Sequence, residues 1–304
     1  MKLFFLVLCQ LIMSCNQNYK ANIGNMNYHD IEIFMNTPAW ELAQAVETED
    51  VSKIKEILKK DTSLFTYREP LFGTTVLMRA VGNRKWHSAK QLLESGTNPN
   101  VISKIGTFAL FEAIQDPWYA RLPDNDPKFV ELLLENKANP NNHYCSPKIK
   151  GQTDPIECGT SPLMYSIMNG LEKTKLLLEA GADLNYKTEL GTTAASHALL
   201  MEDINAAYYL IAEKKADVSQ PYFYTEIGND SIIEKDKPHY PIDLLLDWIP
   251  QIGSEKYKKK MAIVQEFKNQ GIDYFERKKN ISQRKLEQIK YLHPNDWEEY
   301  LKKY

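Results

Sequence analysis

"GTSPLMYSIMNGLEKTKLLLEAGADLN", Gly159 to Asn185, reads as two short helices enclosed between two turns. Gly159 supplies the turn at a hairpin tip, where a residue without Cβ reverses the chain at little cost. A Thr or Ser just after it caps the first helix, and Leu163 and Ile167 then lie one helical turn apart on a buried face. The "NG" of Asn169 and Gly170 breaks the helix. A second helix carries Leu177 and Leu178 into the same core, and Gly181 stands just past its end, where a left-handed residue is wanted. One such helix pair cannot bury its own apolar face, so it requires neighbours of the same pattern.

Those neighbours are present. The opening phrase recurs as "GTTVLMRA" from Gly73, "GTFALFEA" from Gly106 and "GTTAASHA" from Gly191, and the closing phrase as "LLESGTNPN" from Leu92 and "LLENKANPN" from Leu133. Two of the intervals between opening glycines are close to about 33 residues. Period and phrases together resemble the ankyrin repeat, which opens G-x-T-P-L-H-x-A and closes L-L-x-x-G-A-D-V-N. The resemblance implies an all-α repeat, an ankyrin solenoid of about six helix-turn-helix units with β-hairpin loops and a C-terminal helical cap. The units fall near 38–71, 72–104, 105–158, 159–190, 191–224 and 237–275, giving a repeat domain over 38–275 followed by a helical extension over 276–304.

The outer units are degenerate. The first has the two-helix spacing without the turn phrase, and the sixth shows "YPIDLLLDW" from Tyr240 and "FKNQGIDYF" from Phe267. The consensus His is replaced by Met78, Phe111, Met164, Ser196 and Asp243, which removes a group that normally helps join layers. Gly96 and Gly271 match Gly181, but Lys137 and Lys215 stand at that place in two copies. A non-glycine residue there costs of the order of 1 kcal/mol, so those repeats are expected to be locally less stable. Beyond Phe275, Ser282 reads as a helix cap and Pro294 as the break between two helical pieces.

The N-terminus is written differently. "MKLFFLVLCQLIMSC" has one cation, an apolar run and a small residue, the parts of a signal peptide. Its apolar run reaches roughly 16 Å as a helix, well short of the ~30 Å hydrocarbon core. "Ile12-Met13-Ser14-Cys15" resembles the lipobox of bacterial lipoproteins, with Met13 an unusual occupant of its position. That resemblance implies removal of residues 1–14, acylation of Cys15 with palmitate-type chains, and anchoring to the bacterial membrane facing the periplasm or the cell surface. Ordinary signal-peptidase cleavage beside a chance cysteine is the alternative. Residues 15–37, polar and Asn-rich, read as a flexible tether. Cys9 leaves with the signal, so Cys145 and Cys158 remain. On an oxidising side of the membrane two thiols a short loop apart usually pair, closing a loop worth on the order of 3 kcal/mol. A metal site using His143, Cys145 and Cys158 lacks an obvious fourth ligand.

The chain has 304 residues, of which 43% are hydrophobic and 25% charged, and a formal net charge of −3. This is an ordinary globular composition. Charges of both signs are spread along it, which argues against a nucleic-acid partner, since phosphate binding needs a concentrated basic surface. The stretch Lys256, Lys258, Lys259 and Lys260, with Arg277, Lys278 and Lys279, reads as a solvated face or as a contact for anionic lipid headgroups. No phosphate-cradling glycine loop, H-E-x-x-H or G-x-S-x-G is present, so neither a catalytic residue nor a cofactor is expected.

Ankyrin arrays bind other proteins through hairpin tips and first-helix faces, so the resemblance implies another protein as partner, and insertions carry the candidate contacts. The insertion Pro117 to Asp126 offers Trp118, Tyr119 and Arg121, or else plugs locally onto a neighbouring helix. The insertion Asn142 to Cys158 offers Tyr144 on a disulfide-stiffened finger. Gln220 to Tyr240 offers Tyr222, Phe223 and Tyr224, with a core role the competing reading. His197 reads as an exposed surface residue. The functional expectation is a non-catalytic, protein-binding lipoprotein of the bacterial envelope, in one version an immunity protein against an envelope-acting toxin. A scaffold for an envelope enzyme is the alternative, and a hydrolase or carbohydrate binder using the concave face a further one.

Overall fold

Three of the first helices start at a side-chain cap. Thr75, Ser161 and Thr193 accept the N–H groups of Met78, Met164 and Ser196 at 3.1–3.2 Å, and Asp50 and Asp203 do the same for second helices. These contacts satisfy donors that a helix cannot satisfy internally. The computed structural model describes residues 29–115, 125–146, 156–227, 233–235, 237–279 and 281–303. Two compact units divide the chain, Met1–Glu112 and Ala113–Tyr304.

In the first unit the helices are Trp40–Glu47 with Val51–Lys60 and Val76–Gly82 with Trp86–Glu94. The division falls within the next, Ala109–Ile114. Leu42, Ile54, Leu58, Leu77 and Leu92 are buried, each worth about 1.5–3 kcal/mol relative to exposure. The hairpin before the second repeat is organised by the buried carboxylate of Glu69, which accepts the N–H groups of Leu71, Phe72 and Thr74. Its neighbour docks edge-on, Lys104 N–H donating to the Phe72 carbonyl at 2.8 Å. Gly73 has φ +71°, and a Cβ there would lie 2.8 Å from the Lys104 nitrogen, so the close approach of the two hairpins excludes any other residue.

Residues 29–37 correct the expected tether. Ile31–Phe34 forms a 3-10 turn with Ile33 and Phe34 buried, packed on the helix Trp40–Glu47. Ile33 and Phe34, flanked by Ile31 and Met35, bury this end against the first repeat. Cys15, the signal segment and residues 15–28 lie outside the described residues.

In the second unit the helices are Lys128–Glu135; Pro162–Ser166, prolonged by a 3-10 turn Ile167–Asn169, with Leu171–Glu179; and Ala194–Leu200 with Ile204–Ala207, which runs into a π-helical Tyr208–Glu213. Pro241–Leu245 and Glu255–Asn269 follow. Leu163, Ile167 and Leu177 are buried as the spacing predicts, while Leu178 is half-buried. A short antiparallel hairpin pairs Thr225–Ile227 with Ile233–Lys235. Otherwise the named elements are helical, and the fold is an all-α repeat.

The copied ending has a physical purpose beyond stopping a helix. Its Asn or Asp folds the chain into the same small turn four times: Asn98, Asn139, Asp183 and Asp217 accept the N–H two residues on at 2.8–3.0 Å. The last Asn then ties one repeat to the next. Asn141 accepts from Asp183 N–H at 2.8 Å and donates to the Gly181 carbonyl at 3.0 Å, and Asn185 accepts from Asp217 N–H at 2.8 Å. Lys137 and Lys215 adopt φ +66° and +63° in the place of Gly181 at +88°, as their positions require.

The last helices are Tyr274–Lys278, capped by Asp273, then Gln283–Leu292, capped by Ser282, and Trp297–Lys303, these two separated by a break at His293–Asp296 around Pro294. Ile289 and Tyr300 form a small core with Ile249 and Ile252, and the Tyr300 hydroxyl donates to the Pro250 carbonyl at 2.8 Å.

Candidate protein-interaction surface

Counting from the turn glycine gives four repeats a common register. The sixth residue after it is Arg79, Glu112, Tyr165 or His197, and the ninth and tenth, where the first helix ends, are Gly82 and Asn83, Met168 and Asn169, or Leu200 and Met201. These variable positions follow the conserved phrase and decide what each helix end presents.

In the second repeat the helix end is closed by the chain itself. The His29 Nδ1 lies 3.1 Å from Arg79 Nη1, and Asn83 donates to the His29 carbonyl at 3.1 Å. A Cβ on Gly82 would make an ordinary 3.6 Å contact with the His29 ring and a tighter one, 3.2 Å, with a Glu112 oxygen, which would have to give by a few tenths of an ångström. Beneath lies a buried pair, Arg79 and Glu112, 3.6 Å apart, with the Thr107 hydroxyl donating to Glu112 at 2.8 Å. Burial, then the Arg79 guanidinium, pulls the His29 imidazole down to about 4. Burial also raises the Glu112 carboxyl, opposed by Arg79, Thr107 and Arg84. None of these three residues was singled out from the sequence. The signal was available for two, since Arg79 and Glu112 carry opposite charges at one repeat position.

In the fourth and fifth repeats the helix ends are open. Met168 is 63%, Leu200 39% and Met201 40% exposed. The helix Ala194–Leu200 packs beside Pro162–Ser166 and its 3-10 turn. His197 corrects its expected exposure: it is half-buried, with Nδ1 2.9 Å from the Met164 carbonyl of the preceding repeat. One residue beyond the consensus His position, it makes a tie between layers. Burial lowers its pKa, opposed by the carbonyl contact and by Glu157.

Trp118, Tyr119 and Arg121 lie outside the described residues, but the base of their insertion is held firmly. The buried Lys173 ammonium donates to the Ile114 carbonyl at 3.0 Å, and Asn125 rests against Gly170, whose absent Cβ would meet it at 3.0 Å. Tyr144 is half-buried and pairs its backbone with Thr160. Beside this bridge Cys145 and Cys158 form a disulfide. His143 stacks on Tyr186 at 4.0 Å instead of pointing to a ligand cluster. Burial lowers the His143 pKa and raises that of Tyr186. Tyr222 is 5% exposed, exchanges backbone hydrogen bonds with His239 and meets Tyr224 edge-on at 5.6 Å, an environment of core rather than contact. Tyr224 is 43% exposed, with its ring edge-on to Tyr222 and His239.

The cationic stretch does not act as one face. Lys260 is 1% exposed, donates to the Trp248 carbonyl at 2.7 Å and lies over the Tyr274 ring. Arg277 grips Asp243 with two bonds of 2.6 and 2.8 Å, and Lys258 pairs with Glu255. The even run of lysines conceals that helix Glu255–Asn269 turns one of them inward.

Residues 118–221 match the family model for ankyrin repeats, in three copies. This stretch is made of ankyrin repeats, and such repeats generally serve as non-catalytic modules that bind other proteins. A search of curated proteins finds no match.

Proposed function

We propose that this protein is an exported lipoprotein, anchored through Cys15 to the bacterial membrane, whose repeats bind another protein of the envelope without catalysing a reaction. The ankyrin match over 118–221 supports the binding role, and the apolar N-terminal run ending in Ile12-Met13-Ser14-Cys15 supports the anchor. Trp118, Tyr119 and Arg121, on an insertion whose base Lys173 fixes, and the exposed Tyr224 are the proposed contacts; neutralising an envelope-acting toxin is one form such binding would take.

Two measurements test the reading. Cys15→Ser should move the protein from membranes to the soluble fraction on carbonate extraction; retention in the membrane would refute lipid anchoring. The mature protein should enrich a saturable partner from envelope extract, and Trp118→Ala with Tyr119→Ala should cut that recovery severalfold with an unchanged unfolding midpoint. A lowered midpoint instead would make the aromatics part of the core.

A further inference from the structure

The last two helices, Gln283–Leu292 and Trp297–Lys303, are tied to the elements before them by side chains, lysines prominent among these. Lys285 meets the Asp247 carboxylate at 2.8 Å, and Lys278 donates to the Leu301 carbonyl at 2.7 Å. The Tyr300 and Tyr257 hydroxyls donate to the Pro250 and Lys303 carbonyls, each at 2.8 Å. A third lysine lies within reach of both charges. Lys260 is 1% exposed and donates to the carbonyl of Trp248, the residue after Asp247. A charge on it is opposed by burial and by Lys278 and Lys285, and favoured by Asp247 and by the Tyr274 ring, 5.1 Å away. Other charges on the packed elements have partners of their own: Arg277 with Asp243, Lys279 with Glu276, Lys258 with Glu255, Lys259 with Asn205 and Lys215 with Glu266. Within the last helices' own contact, His293 meets Asp296 at 3.5 Å and stacks on Tyr300.

Protonated, Lys260 would join Lys278 and Lys285 around a carboxylate that Lys285 already occupies. Uncharged, it keeps its hydrogen bond to the Trp248 carbonyl and adds no repulsion. We propose that residues 283–303 form a proton-released cap, docked on the sixth repeat while the Lys260 amine is uncharged and leaving as that amine takes up a proton. Departure carries Lys285 away, frees Lys278 from the Leu301 carbonyl, gives the Lys260 amine water and uncovers Ile249 and Ile252. The direction follows from burial first, then the two lysines, which together hold the docked amine at about 6 against 10.5 when hydrated. Between these values the released state binds a proton that the docked state lacks, so release becomes about tenfold more favourable for each pH unit lost. Acidification therefore opens the end of the array.

The test is hydrogen exchange of the mature protein at about pH 7.5 and about pH 5.5, corrected for the pH dependence of exchange in an unfolded chain. Amides of residues 283–303 should lose protection by at least about tenfold at the lower pH, while those of residues 162–179 keep theirs. Lys260→Met should abolish that loss. His293→Gln, which removes the imidazole beside Asp296 and Tyr300, should preserve it. Should Lys260→Met fail to fold, lysine side-chain NMR of the wild type reads the same group: one amine should be uncharged at about pH 7.5. Equal protection of 283–303 at the two pH values overturns the proposal, as does a loss that survives in folded Lys260→Met or disappears in His293→Gln. So does a loss shared by the whole array, or a wild type in which every lysine is charged at about pH 7.5.

Discussion

Where its first helix ends, the second repeat carries Gly82 and Asn83 and is roofed by His29, while the fifth repeat carries Leu200 and Met201 and is open. Both repeats begin with the same glycine turn and threonine cap, and both bury their conserved apolar residues. The difference therefore lies wholly in residues that the repeat leaves free. In one case they are small and polar, and the chain closes the position over a buried charge pair. In the other they are large and apolar, and nothing among the described residues removes them from solvent. One architecture thus supplies a covered position and a more exposed one.

The sharpest way to break the contrast is to remove the charge under the roof. Arg79→Met should destabilise the first unit by about 3–5 kcal/mol, because it leaves Glu112 buried beside an uncharged side chain. Arg79→Met with Glu112→Leu should recover at least half of this, since a buried pair exchanged for apolar groups is often nearly neutral. Urea unfolding followed by a probe in the first unit reads both. Equal losses in the single and double variants would show that the pair is not coupled.

A smaller effect sharpens the contrast from the other side, since the second unit buries the Lys260 amine. Burial, then Lys278 and Lys285, lowers the Lys260 amine from 10.5 to about 6, against a weaker opposing pull from Asp247. Between these values the unfolded chain holds a proton that the folded one has released, so stability rises with pH across the window and is lost as pH falls towards 6. A single group of this kind gives a slope of up to about 1.4 kcal/mol per pH unit. Lys260→Met should reduce the slope of the unfolding midpoint between about pH 6.5 and about pH 9. Some slope should survive, because burial also lowers Lys278. An unaltered slope would place the titration elsewhere.

Much of the local structure was legible because it depends on neighbours within a few residues. The turn at Gly159, the cap at Ser161, the left-handed Gly181 and the strained Lys137 and Lys215 follow from the sequence in windows shorter than one repeat. The disulfide was legible from two remaining cysteines and a short loop. The folded end of the tether was not, because Ile33 and Phe34 are too brief a run to show a helical or strand period. Nor was the inward turn of Lys260, since an unbroken run of lysines masks which one faces the core.

The sequence by itself determined the ankyrin-type repeat pattern and several of the turns and caps that bound its helices, because those features are set by backbone conformation and apolar period. Only the tertiary structure decided which variable positions are spent inside and which are left outside. His29 lies fifty residues from Arg79, and His197 lies 33 residues from the Met164 carbonyl. The burial of a polar side chain depends on what arrives from such distances, and no local pattern encodes that arrival.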